Sequence, residues 1–134
     1  MTLHDLSQIY YIRRELTDCD ARLSALRARR DAGAASPAIG GSPGSGLPSS
    51  PTERLAAEIT DLEAIISAKR IELIHQEAML TRYISSIDDS LTRLVLTYRF
   101  IDCRTWRDVA LLVGGGNSED SVKKMCYRFL ERNA

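Results

Sequence analysis

Helix breakers occupy only two places in this chain of 134 residues, and no other feature of the sequence constrains the fold as strongly. All four prolines and five of the eight glycines fall between Ala32 and Pro51; the remaining glycines are consecutive, Gly114, Gly115 and Gly116. The tracts on either side are rich in Leu, Ile, Ala, Arg and Glu, side chains that lose little rotamer freedom in a helix. Aromatic residues make up only 6% of the chain. An all-α protein is therefore expected, with little weight on any strand.

Eighteen basic and eighteen acidic side chains give a formal net charge of zero. That balance removes the simple argument for a nucleic-acid binder, which would be strongly basic, and also the acidic-tail and polybasic-membrane classes. No apolar stretch approaches the ~20 residues of a membrane span, and no basic segment precedes an apolar run at the N-terminus. Cys19, Cys103 and Cys126 are odd in number and widely spaced, so neither a disulfide framework nor a zinc site is indicated. A soluble protein of a reducing, cytoplasmic compartment is expected.

From Leu3 to about residue 31, Ile9, Ile12, Leu16, Cys19, Leu23 and Leu26 alternate spacings of three and four, the seam of a long amphipathic helix. Residues 32–51 carry almost no charge and no periodicity, so burial cannot offset the entropy of ordering them, and a flexible linker is expected. A second helix is predicted over 51–87, with Ser50 as cap, Pro51 in the first turn and Glu53 able to reach back. It repeats Ile59, Ile66, Leu73, Leu80 and Ile87 every seven residues, with Leu55, Leu62, Lys69, Gln76 and Tyr83 at the companion position. About 35 residues at 1.5 Å each make a rod on the order of 50 Å long. The two seams predict an antiparallel helical hairpin over 1–87, with Leu26 near Leu55 and Ile59, and Ile9 near Leu73 or Leu80. Lys69 and Gln76 either set register, mark where another chain joins, or snorkel into water. The same pattern serves a single chain or a homodimer.

Residues 88–134 change character. Asp88 or Asp89 can cap a helix in which Leu91, Leu94, Val95 and Tyr98 face inward, running to about Ile101. Thr105 begins a short helix that buries Trp106, Val109, Ala110 and Val113; Gly114–Gly116 end it. Asn117 or Ser118 then caps a final helix striped by Val122, Met125, Cys126, Phe129 and Leu130. Short helices with a glycine turn before the last form a helix-turn-helix pattern, in which the final helix enters the major groove. Opposite the stripe lie Asp120, Lys124, Tyr127, Arg128 and Glu131, flanked by Glu119 and Lys123. Lys123, Lys124, Arg128 and Arg132 suit phosphates or guanine edges, and Glu119 or Asp120 suits a cytosine amino group. From Leu91 onward, eight basic residues face five acidic ones, so this part is +3 and the remainder −3.

The runs Leu94 to Asp102, Thr105 to Ala110, Ser118 to Lys124 and Tyr127 to Leu130 resemble the fourth region of bacterial sigma factors. More closely, the chain resembles the small sigma-like transcriptional regulators of Gram-positive phages and prophages, the RinA and ArpU type. The resemblance implies a DNA-binding recognition helix over Ser118–Leu130, with Ser121, Lys123, Lys124 and Arg128 toward double-stranded DNA. It places Val109, Ala110, Val122 and Leu130 in the core. The three glycines lengthen the turn relative to the ordinary sigma pattern, and no Lys-Ser or Lys-Thr follows them as a phosphate loop would need.

The resulting expectation is a sequence-specific DNA-binding regulator acting in the bacterial cytoplasm. Ser118, Glu119, Asp120, Ser121, Lys123, Lys124, Tyr127 and Arg128 form its DNA face, and the hairpin contacts RNA polymerase or a second copy. The competing classes are a phage assembly or packaging protein that works through its coiled-coil arm, and a polymerase-binding sigma-like accessory subunit. No enzyme is expected, because the carboxylates read as caps and surface pairs rather than a converging acid and base. No cofactor or metal is expected, since His4 and His75 are single, distant histidines without a helical i, i+4 partner. Cys126 and Trp106 read as core residues.

Overall fold

The computed structural model describes residues 1–35 and 50–134, apart from the side chains of residues 34 and 35. Among the described residues it is all-helical, 85% helix with no strand. The helices are α1 (Leu3–Ala35), α2 (Pro51–Ser85), α3 (Ser90–Leu96), α4 (Trp106–Val113) and α5 (Glu119–Arg132), with a π-helical turn at Thr97–Ile101 after α3. Helix α1 runs past the expected end at residue 31, through Ala32 and Gly33 to Ala35. The rest of the predicted linker, 36–49, lies outside the described residues. Helix α2 stops at Ser85 rather than 87. There the Ser85 and Ser86 hydroxyls donate to the carbonyls of Arg82 and Tyr83, and the Ser86 and Ile87 amides bond only three residues back. Hydroxyls that compete for backbone acceptors favour a helix end over a further turn.

The chain packs as two compact units, residues 15–70 and residues 1–14 with 71–134. These bounds differ from the sequence division at residue 88, because the first turns of α1 and the last turns of α2 share a core with residues 88–134. In the 15–70 unit, Leu16, Cys19, Leu23, Ile59 and Ile66 are buried. Glu15 pairs with Lys69, Asp20 with Arg70 at 3.9 Å and Arg27 with Glu63 at 3.5 Å. These three pairs join α1 to α2. The half-buried Lys69 thus holds a seam position through a carboxylate partner.

In the other unit, Leu6, Ile9, Leu80, Ile84, Val95, Leu96, Phe100, Trp106, Val109, Ala110, Val122, Cys126 and Leu130 form one core. Ile9 shares it with Leu80, one of the two partners expected. Asp89 caps α3, its carboxylate accepting from the Thr92 hydroxyl at 2.7 Å and amide at 2.9 Å, which holds its pKa below the usual carboxylate value. The inward face of α3 departs from the expected stripe. Thr92, Val95, Leu96 and Phe100 are buried, Leu91 and Tyr98 are half-buried, and Leu94 is 43% exposed. Thr92, Val95 and Leu96 fix the inward side of α3, with Leu94 off it, and the π turn that follows explains the burial of Phe100. Continued α-geometry would carry Arg99 inward four residues after Val95; one extra residue per turn brings Phe100 there instead. The Thr97 hydroxyl donates to the Arg93 carbonyl at 2.7 Å beside the widened turn.

Arg13 of α1 closes the exit from that turn. Its guanidinium donates to the Ile101 carbonyl at 2.6 Å and to Glu77 of α2 at 2.7 Å, and lies 3.3 Å from the Cys103 sulfur. Cys103 sits at φ 55°, a left-handed conformation uncommon for a residue with a side chain.

Deleting the Phe100 ring should cost about 3–5 kcal/mol, whereas Leu94→Ala should stay within about 0.5 kcal/mol, both read by urea denaturation. The reverse ranking would contradict the burial of Phe100 and the exposure of Leu94.

Candidate nucleic-acid interface

Helices α4 and α5 form the C-terminal pair, and each start is defined by a hydroxyl. Thr105 accepts from the Asp108 amide at 3.2 Å to cap α4. Ser118 accepts from the Ser121 amide at 3.1 Å while the Ser121 hydroxyl accepts from the Ser118 amide at 2.9 Å, a reciprocal box at the start of α5. Such caps each stabilise by about 1 kcal/mol. The connecting turn needs glycine: Gly114, Gly115 and Gly116 all have positive φ, at 67°, 63° and 77°. Asn117 fastens it, its side-chain amide donating to the Gly114 carbonyl at 2.9 Å.

Val109 of α4 and Val122, Cys126 and Leu130 of α5 are buried, with Met125 and Phe129 half-buried, so one face of α5 is spent on packing. Trp106 is buried edge-on to Phe100, with centroids 6.5 Å apart, as a core anchor. The Arg99 guanidinium lies over its ring at 4.7 Å. Burial pushes the Cys126 thiol up to about 11, against a smaller opposing pull from Arg99.

The residues expected to meet DNA are exposed, Ser118 at the cap and the others on α5 itself. Their surroundings sort them. Ser118 and Ser121 are engaged in the capping box. Asp120 pairs with Lys124 at 3.3 Å, both well exposed, a contact worth only a few tenths of a kcal/mol. Glu119 and Asp120 in the first turn complement the helix dipole and repel any phosphate placed at that terminus. Tyr127 leans toward Trp106, 6.1 Å between centroids, and is exposed along its outer edge. Lys123 and Arg128 project outward with no carboxylate within 4.0 Å among the described residues, and the same holds for Arg104, Arg107 and Arg132.

Two arginines counted toward the positive balance are engaged elsewhere. Arg93 donates to the Ile87 and Asp88 carbonyls and to the Ser90 hydroxyl, closing the α2–α3 turn. Arg99 donates to the Arg104 carbonyl at 2.9 Å as well as covering Trp106. Neither role, nor that of Arg13, has a sequence signature, because each joins positions set by tertiary packing or by the π turn.

Beside α5 lies an open groove of about 990 Å3 between the end of α2 and the helix, with Asp88 and Asp89 on one wall and Lys124 and Arg128 on the other. Tyr83 lines it, its hydroxyl buried without a hydrogen-bond partner. Among the described residues no group of three His, Cys, Asp or Glu side chains is placed to hold a metal. Among the described residues no helix is long and apolar enough to cross a membrane. No protein-family model, curated protein or solved structure matches the chain.

Thiolate is the reactive form of cysteine, so the raised Cys126 should resist alkylation. Iodoacetamide at pH 8 should label the half-buried Cys103 well before Cys126, read by peptide mass spectrometry. Equal rates would contradict the burial of Cys126.

Proposed function

We propose that this chain is a sequence-specific double-stranded DNA-binding regulator of transcription. In this reading α4 and α5 are the two helices of a sigma-region-four-like helix-turn-helix within residues 88–134, and α5 enters the major groove. The helices of residues 1–87 form the hairpin arm through which RNA polymerase or a second copy is contacted. The phage or prophage setting and the bacterial cytoplasm follow from the resemblance of the C-terminal runs.

One observation carries this reading. Helix α5 buries one face on α4 and the shared core while its opposite face holds outward-pointing Lys123 and Arg128 with no carboxylate partner among the described residues. Arg128 suits bidentate contact with guanine or phosphate, and Lys123 a phosphate contact. The Asp120–Lys124 pair is weak enough to exchange for a nucleic-acid partner. Arg107, exposed on α4, suits the backbone-crossing role of the first helix.

Selection of bound duplexes from a random pool, followed by fluorescence anisotropy across salt concentrations, tests this directly. Wild-type affinity should fall steeply with salt. Lys123→Glu with Arg128→Glu should lower it at least about a hundredfold and flatten the salt slope by about one for each phosphate no longer neutralised. Absence of salt-dependent binding to any duplex, or unaltered binding by a folded double variant, would overturn the proposal.

A further inference from the structure

The outward side of α2 carries a second heptad seam, across the helix from the buried one. Positions 57, 60, 64, 67, 71, 74, 78, 81 and 85 hold only Ala, Ser, Thr and Ile, with no charge over eight turns. At its middle are two large apolar side chains in open solvent, Ile71 at 58% and Ile74 at 63% exposure. A solvated helix face ordinarily carries charge at such positions. Toward the end of α2 the seam continues into an apolar groove of about 620 Å3 walled by Thr81, Ser85 and the exposed Leu94. An uncharged seven-residue repeat of small side chains with two isoleucines at its middle matches another supercoiled helix better than it matches water or an irregular surface.

We infer that this face is a dimer interface, and that its occupant is α2 of a second copy running antiparallel about a two-fold axis between residues 72 and 73. The charges flanking the seam select both partner and register. With Ile71 of one chain against Ile74 of the other, Asp61 meets Arg82 and Arg70 meets Glu77, each twice by symmetry. A shift of one heptad either way sets Glu63 against Glu77, or Glu77 against itself, and like charges at such sites oppose pairing. A two-fold contact is self-complementary, as one surface patch meeting its own copy must be.

The single chain leaves these charges available. Asp61 and Arg82 are exposed and form no ion pair among the described residues. Arg70 reaches Asp20 only at 3.9 Å with both side chains more than half exposed. Glu77 receives Arg13, yet a carboxylate has about four acceptor positions and accommodates a second cation. DNA binding plays no part in this inference, and its test needs no nucleic acid.

Sedimentation velocity on the full chain over a concentration series provides the test, with circular dichroism reporting helicity. A monomer–dimer equilibrium is expected for the wild type, and a monomer for Ile71→Glu with Ile74→Glu. Asp61→Arg should raise the dimer Kd about tenfold by opposing two arginines at two symmetric sites, and Asp61→Arg with Arg82→Asp should return it to within about threefold of wild type. Should the isoleucine variant lose helicity, this charge swap still decides, since it leaves the seam intact. A wild-type monomer at roughly 100 µM overturns the inference. So does a dimer indifferent to Ile71→Glu, or one indifferent to Asp61→Arg, as in a parallel pairing where Asp61 would meet Ala56.

Discussion

The short C-terminal helices exist because of a core they cannot build alone. Helices α3, α4 and α5 have 7, 8 and 14 residues. Isolated helices below roughly 12–15 residues are marginal in water, so tertiary burial must supply their stability. Leu6 and Ile9 from α1 and Leu80 and Ile84 from α2 supply part of that burial, in the same cluster as Val95, Leu96, Val109 and Val122. The outward face of α5 is consequently oriented by residues more than a hundred positions earlier in the chain. Arg13 reinforces the arrangement by joining α1 to Glu77 and to the carbonyl at the end of the π turn. About a third of each partner of that ion pair is exposed, so its contribution is secondary to burial.

Charge follows the same division between scaffold and surface. The zero net charge conceals arginines of two kinds. Arg13, Arg93 and Arg99 are bound to backbone carbonyls and serve as struts. Lys123 and Arg128 face outward with no carboxylate partner among the described residues. A count of charges cannot separate them, because the difference lies in which carbonyls the fold leaves unsatisfied. The widened turn at Thr97–Ile101 creates one of those acceptors, and the α2–α3 turn creates two more.

Much of this architecture is legible in the sequence wherever a local rule acts without competition. The heptad residues Ile9, Ile12, Leu16, Ile59 and Ile66 are buried as their period requires. Asp89, Thr105 and Ser118 cap the helices they precede, each a side chain whose oxygen can accept from an amide of the first turn. The three glycines mark a turn that only positive φ allows. What escapes the sequence is the π turn, since no local signal marks the single extra residue that brings Phe100 rather than Arg99 to the inward face. The packing of residues 1–14 with the C-terminal helices is equally hidden, because α1 shows one continuous seam. The residues of the candidate interface were identifiable on the helical wheel, whereas the diversion of Ser121 into a cap and of Lys124 into an ion pair required the structure.

The central claim is that this core holds the outer face of α5 as the surface that meets nucleic acid. Amide NMR of the full chain, titrated with a short duplex at about 50 mM salt, tests it most directly, because even non-specific contacts of roughly micromolar to 100 micromolar Kd shift resonances. The account predicts shifts concentrated at residues 118–128 and around Arg107, fading as salt is raised. Shifts confined to α1 and α2, or none at all on α5, would contradict it.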